Sequence, residues 1–131
     1  MHQSGHFSSA IADDELAVLS AMLDHLPVGI SVVDRDFRVL AVNHLLIDML
    51  NFPVELFEPN LPTLEDLTLF NARRGEYGPG DPVQITRERM LLARRGEAHR
   101  FQRTRPNGQV LEIIGAPLPN GGFISIYTDV T

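Results

Sequence analysis

The 131-residue chain contains no cysteine, no tryptophan and no lysine. Without cysteine it has no thiol nucleophile, no thiolate metal ligand, no disulfide and no cysteinyl adduct to a flavin or chromophore. Long apolar runs are missing too. The longest, such as Val28–Val33, are far too short to cross a bilayer. The N-terminal MHQSGHFSSAIADDE has no basic residue beside an apolar core, so it is not a secretory signal. It reads as a flexible lead-in over residues 1–12, and cytoplasmic location is the default expectation.

What remains is ordinary for one globular domain, with 44% hydrophobic and 21% charged residues. Charge is uneven along it. The first 66 residues hold eleven acids and two arginines, and the last 65 hold six acids and nine arginines, for a net −6. The arginine-rich stretch from Arg87 to Arg105 has only Phe101 as a stacking ring and no accompanying motif. It reads as a solvated face, so nucleic-acid binding is not expected.

Asp13 to Leu26 has the spacing of an amphipathic helix, with Leu16, Leu19, Met22, Leu23 and Leu26 on one face and Pro27 as its stop. VGISVVD and FRVLAVN flank Arg35-Asp36 as two strands of a hairpin. Asn43 caps a helix over His44 to Asn51. After the turn-rich Pro53–Pro62, Thr63 and Asp66 form a capping box for a helix ending near Gly75. GEYGPGDP is a loop, because three glycines and two prolines in eight residues sustain neither helix nor strand. Asp81-Pro82 then opens a helix that ends at Gly96. His99–Arg105 and Gln109–Pro117 are strands joined by Pro106-Asn107-Gly108, and Phe123–Asp129 is a third. The order implies an α+β fold, an antiparallel sheet interrupted by a helical insert.

GISVVDRDFRVLAVN, RTRPNGQVLEI and the terminal GGFISIYTDVT, in this order and spacing, resemble the PAS domain, a sensory fold of signalling proteins. The RRGEYGPGDP loop resembles a subgroup found ahead of histidine kinase or diguanylate cyclase domains. The resemblance runs from about Leu23 to Thr131. It implies a five-stranded antiparallel sheet, a helical insert between strands 2 and 3, and an N-terminal helix over 13–26 ahead of a PAS domain at 27–131. It also implies that Asp129 and Thr131 mark the exit toward a C-terminal output domain. There Asp129 would bond backbone amides or an arginine, and Thr131 would cap a following helix.

Successive strand residues face opposite sides of a sheet. The resemblance puts Ser31, Val33, Phe101, Arg103 and Leu111 on the inner face, with Ile113, Phe123, Ser125 and Tyr127. PAS ligands bind between that face and the insert. These residues, with Met49 and Met90 from the insert, are the candidate pocket. Arg103 offers a fork for a carboxylate or phosphate, against the alternative that it pairs with a helical acid. Met49 and Met90 also read as core filler. Ile30, Ile124 and Ile126, with Val32, Val110 and Ile114, form an apolar outer face. Leu16, Leu19, Leu23 and Leu26 are suited to cover it within one chain or across a homodimer.

The absence of cysteine disfavours a flavin adduct. The resemblance implies that a haem would take a histidine from the long helix before the third strand; that helix, PVQITRERMLLARR, has none, which disfavours haem, and His44 and His99 read as capping or surface residues. No metal site is expected. A small organic ligand, or none, is left. No triad order, metal-ligand spacing or phosphate loop stands out, so the domain reads as non-catalytic. The leading expectation is a sensory and dimerisation module of a bacterial signalling protein, most often a sensor histidine kinase in a two-component system. The alternative is a ligand-free interaction module of a diguanylate cyclase or transcriptional regulator.

Overall fold

The structure is a computed structural model that describes residues 5–7, 18, 21–22 and 25–131. Six strands are present: β1 Gly5–Phe7, β2 Gly29–Val33, β3 Val39–Asn43, β4 His99–Thr104, β5 Val110–Pro117 and β6 Phe123–Asp129. Between β3 and β4 lie α1 His44–Met49, a 3-10 turn at Val54–Leu56, α2 Leu64–Arg73 and α3 Pro82–Arg94. The sheet runs β1-β3-β2-β6-β5-β4, every pair antiparallel.

The five strands and the helical insert implied by the resemblance are there, and the sheet carries one strand more. Gly5–Phe7 pairs with Ala41–Asn43. Part of the segment read as a flexible lead-in is therefore an edge strand. It satisfies backbone groups that the outer side of β3 would otherwise leave unpaired.

Local chemistry explains the joints. Asp34 Oδ1 accepts from the Asp36 and Arg38 amides at 2.8 and 3.0 Å and closes the β2–β3 turn. Asn43 caps α1, accepting from Leu46 N–H at 3.1 Å. The same oxygen accepts from Ile30 N–H at 2.9 Å, and its amide donates to Val28 at 2.8 Å. One buried side chain thus ties α1 to the start of β2. Thr63 and Asp66 make the reciprocal capping box of α2. Asp81 caps α3 through Gln84 N–H, with Pro82 in its first turn. Asn107 and Gly108 close the β4–β5 hairpin, with Gly108 at φ 91°, where a side chain would be strained.

The core lies between the inner sheet face and the insert. Leu111 is fully buried, and Val33, Val39, Val42, Leu46, Ile47, Leu50, Phe52 and Phe57 surround it. On the outer face Ile30 is buried, and Val32, Ile114, Ile124 and Ile126 are half-buried in the single chain. Leu26 is 42% exposed. Leu16, Leu19 and Leu23 lie outside the described residues.

Candidate functional site

Strand register sets the floor of a cavity. Phe101, Ile113 and Tyr127 form one cross-strand row, and His99, Gly115, Ser125 and Ser31 form the next. The second row has hydrogen or a short hydroxymethyl at three successive strands; the His99 and Phe123 rings lie over Gly115, and the floor left open is at Ser125 and Ser31. The roof does not fill the space above them. Only Thr86 and Met90 of α3 are buried, and the helix packs mainly on α2 instead of the sheet.

The resulting cavity has a volume of about 360 Å3. Its apolar wall includes Val33, Phe37, Leu64, Leu92, Ile113 and Phe123, and its polar groups include Ser31, Thr68, Tyr77, Arg89, Ser125 and Tyr127. Mostly apolar walls with a few polar groups are the usual makeup of a small-molecule site. His99 lies at its mouth, its ring stacked on Phe123 at 5.4 Å and tilted on Phe101 at 5.4 Å. Burial pushes the Tyr127 phenol up to about 12; nearby Tyr77 adds to this, while Arg103 and Arg89 oppose it. The phenol is therefore a neutral donor at any physiological pH. Among the described residues no group of histidines and carboxylates is placed to hold a metal ion.

Of the residues singled out in the sequence, Ser31, Val33, Phe101, Ile113, Phe123, Ser125 and Tyr127 line this cavity. Four do not. Leu111 and Met90 are buried and Met49 packs against the core, and none of the three lines the cavity. Arg103 points elsewhere as well. Its Nη1 donates to Glu76 Oε2 at 2.7 Å, and its guanidinium lies 5.3 Å from the Tyr77 ring. The fork offered to a ligand is occupied by the protein's own carboxylate, which comes from the loop before α3 and not from a helix.

Glu76 is the centre of a cluster that the sequence reading passed over. Arg105 meets it side-on, with Nε to Oε2 at 2.7 Å and Nη2 to Oε1 at 3.1 Å. Arg105 is 5% exposed. It also donates to the carbonyls of Met49 and Leu50 and to the side chains of Asn51 and Gln109. Arg74 donates to the carbonyls of Leu50 and Asn51 at 2.6 and 3.0 Å and covers the rings of Phe52 and Phe70. Burial alone raises the Glu76 carboxyl, but hydrogen bonds from Arg105 and Arg103 and their charges outweigh it, holding it below the usual range. One signal was available: Arg103 and Arg105 share the inward parity of Phe101, so two inward-facing cations called for a counter-charge.

The cluster reaches the end of β6. Gln109 accepts from Arg105 at 2.7 Å and donates to Asp129 Oδ2 at 2.9 Å. Asp129 Oδ1 accepts from Thr131 N–H at 3.0 Å and is also bonded by its hydroxyl. Those bonds, the hydroxyl's first and then that from Gln109, hold the Asp129 carboxyl below its ordinary value. Val110 N–H donates to Thr131 Oγ1 at 2.9 Å. Among the described residues Asp129 thus meets an arginine only through Gln109, and Thr131 bonds back to β5.

A family model described as the PAS fold matches residues 23–131. No curated protein matches the chain. The PAS domain of BvgS from Bordetella pertussis is similar at 19% identity and a TM-score of 0.64, over 91% of this chain and 88% of that one. A domain of a sensory box sensor histidine kinase/response regulator from Geobacter sulfurreducens is 20% identical, with a TM-score of 0.51 over 88% and 94% of the two chains. The PAS domain of an HTR-like protein from Haloarcula marismortui gives 18% and 0.51, over 91% and 100%. Identities this low speak for the fold alone.

Proposed function

We propose that this chain, which belongs to the PAS-fold family, is a sensory module whose cavity binds a small organic molecule and whose β6 exit passes occupancy to an output domain. The observation that carries the reading is the cavity of about 360 Å3 between α3 and the sheet face at Ser31, Ser125 and Tyr127. A path of contacts runs from it to the exit. Tyr77 in its wall meets Arg103, Arg103 and Arg105 share Glu76, and Gln109 joins Arg105 to Asp129.

Signalling requires only that a ligand bind two arrangements of this path with different affinity. A coupling of about 1–3 kcal/mol changes an output about five- to 150-fold. The output domain is a histidine kinase in this reading, as in the sensor kinase of Geobacter sulfurreducens that contains a similar domain. The chain itself is regulatory and not catalytic, and it works in the cytoplasm. No described helix is long and apolar enough to cross a membrane.

Native mass spectrometry of the purified protein, with a metabolite panel screened by thermal shift, tests this. The expected result is a noncovalent adduct or a stabilising compound, lost when Ser125→Phe fills the cavity floor. No adduct and no stabilising compound would contradict it.

A second reading, an interaction module that pairs two copies, is favoured by exposed apolar groups near the N-terminus. Val18, Met22 and Leu26 are 60%, 57% and 42% exposed, and Ile124 and Ile126 on the outer sheet face are only half-buried. It predicts a homodimer that Met22→Glu or Leu26→Glu makes monomeric in sedimentation analysis.

A further inference from the structure

Four arginines, Arg74, Arg89, Arg103 and Arg105, gather around the single carboxylate of Glu76, and three of them have partners. Arg105 and Arg74 donate to main-chain carbonyls, and Arg103 and Arg105 take both oxygens of Glu76. Arg89 differs. It extends from α3 with its guanidinium carbon 3.5 Å from the Tyr77 ring centroid, and it is half-buried. Among the described residues no oxygen accepts a hydrogen bond from it and no carboxylate pairs with it.

A guanidinium carries five N–H donors, and withdrawing them from water without acceptors is costly. An aromatic face offsets only part of that cost. Glu76 is already committed to three other cations, Arg74, Arg103 and Arg105. Glu97, the remaining carboxylate at the cavity wall, is exposed and makes no ion pair among the described residues. The surroundings of Arg89 therefore have an excess of positive charge and a deficit of acceptors.

The same cavity holds a second uncommitted donor. The Tyr127 hydroxyl has no hydrogen-bond partner among the described residues, and it lines the cavity with Arg89. The two lie near enough to influence each other's ionisation. Next to Tyr77, Asn71 Oδ1 is buried without a partner. The facing wall, with Val33, Ile113 and Phe123, is apolar.

We propose that the cavity takes a small amphiphilic monocarboxylate, its apolar body against Val33, Ile113 and Phe123 and its carboxylate accepting from the Arg89 guanidinium and the Tyr127 hydroxyl. Arg89 and Tyr127 together serve one carboxylate; the other arginine in the wall, Arg95, is exposed, as is Glu97. Size follows from volume. A cavity of about 150 Å3 holds benzene, so 360 Å3 suits about ten to fourteen non-hydrogen atoms. This rests on the ligand-sensing reading above and specifies its chemistry.

The test compares two isosteric pairs, 3-phenylpropionate with 3-phenylpropanamide and octanoate with octanamide, by isothermal titration calorimetry on the folded protein. One acid is expected to bind in a 1:1 ratio, about ten- to a hundredfold tighter than its amide, the worth of a charge-assisted hydrogen bond. Arg89→Gln removes that advantage and leaves amide binding unchanged, which also shows that the variant is folded. An amide equal to its acid, or an advantage that survives Arg89→Gln, overturns the carboxylate assignment but leaves the sensing cavity standing. Acid binding that survives Ser125→Phe moves the ligand to the groove outside Tyr77, which Arg89 also borders together with Gly78, Pro79, Thr104 and Pro106, and overturns the cavity as its seat. Binding of none of the four compounds overturns both readings.

Discussion

Replacing Glu76 by glutamine isolates the charge at the centre of the arginine cluster, because the side chain keeps its shape and one acceptor oxygen. The change leaves Arg103 and Arg105, which lie at 2.7 Å from one carboxylate oxygen, buried without a counter-ion. Removing one partner of a buried ion pair costs about 3–5 kcal/mol. Arg105 keeps its carbonyl acceptors from Met49 and Leu50, so the loss falls at the low end, about 3 kcal/mol. With a urea slope near ~2 kcal/mol/M, the unfolding midpoint drops by about 1.5 M. Far-UV circular dichroism is the assay, since the chain has no tryptophan to report.

A pH series gives the same experiment a sign. The unfolded Glu76 takes up its proton near the ordinary 4.5, and the folded one only at lower pH. Stability from this group is whole above that value and drains as pH falls through the folded value. The gap between wild type and Glu76→Gln therefore narrows in acid. A midpoint change below about 0.3 M, which at the same slope is under ~1 kcal/mol, would refute the reasoning. So would a gap that stays constant from neutral pH into acid.

Two further substitutions probe the sheet face. Leu111→Ala removes the most buried side chain of the core and is expected to cost about 2–5 kcal/mol in the same urea assay; a loss under ~1 kcal/mol would mean that the centre is loosely packed. Gly115→Ala places a Cβ inside contact distance of the His99 and Phe123 rings. Overpacking of that kind costs about 1–3 kcal/mol, and nuclear magnetic resonance should show His99 displaced from Phe123. An unmoved His99 ring would mean that the cavity floor tolerates a methyl group.

The elements whose ends carry their own chemistry were legible in the sequence. Asn43, the Thr63–Asp66 box, Asp81-Pro82 and the Asn107-Gly108 turn each satisfy backbone groups within a few residues, so they act the same in any fold. The resemblance to the PAS fold, with the alternation of strand residues, placed Ile113, Phe123, Ser125 and Tyr127 on the inner face. Three features depended on distant partners and were lost. Gly5–Phe7 is too short for a periodic pattern and forms only because β3 has a free edge. Glu76 sits in a loop whose composition says only that it turns, and it is held by Arg103 in β4 and Arg105 just beyond it, 27 and 29 positions later. The difference between Arg103 and Arg89, one satisfied and one not, depends on where that loop lands.

The account centres on occupancy of the cavity reaching the chain at Asp129 and Thr131. Nitrogen–proton correlation spectra, recorded with and without saturating 3-phenylpropionate or octanoate, test this most directly through the Gln109 side-chain amide and the Thr131 backbone amide. Both resonances are predicted to move in the wild type, and Thr131 to stay still in Gln109→Ala, where the bridge from Arg105 to Asp129 is gone. A ligand that shifts Tyr127 and Ser125 while leaving Thr131 unmoved in the wild type, or moving it equally in the variant, would contradict the account.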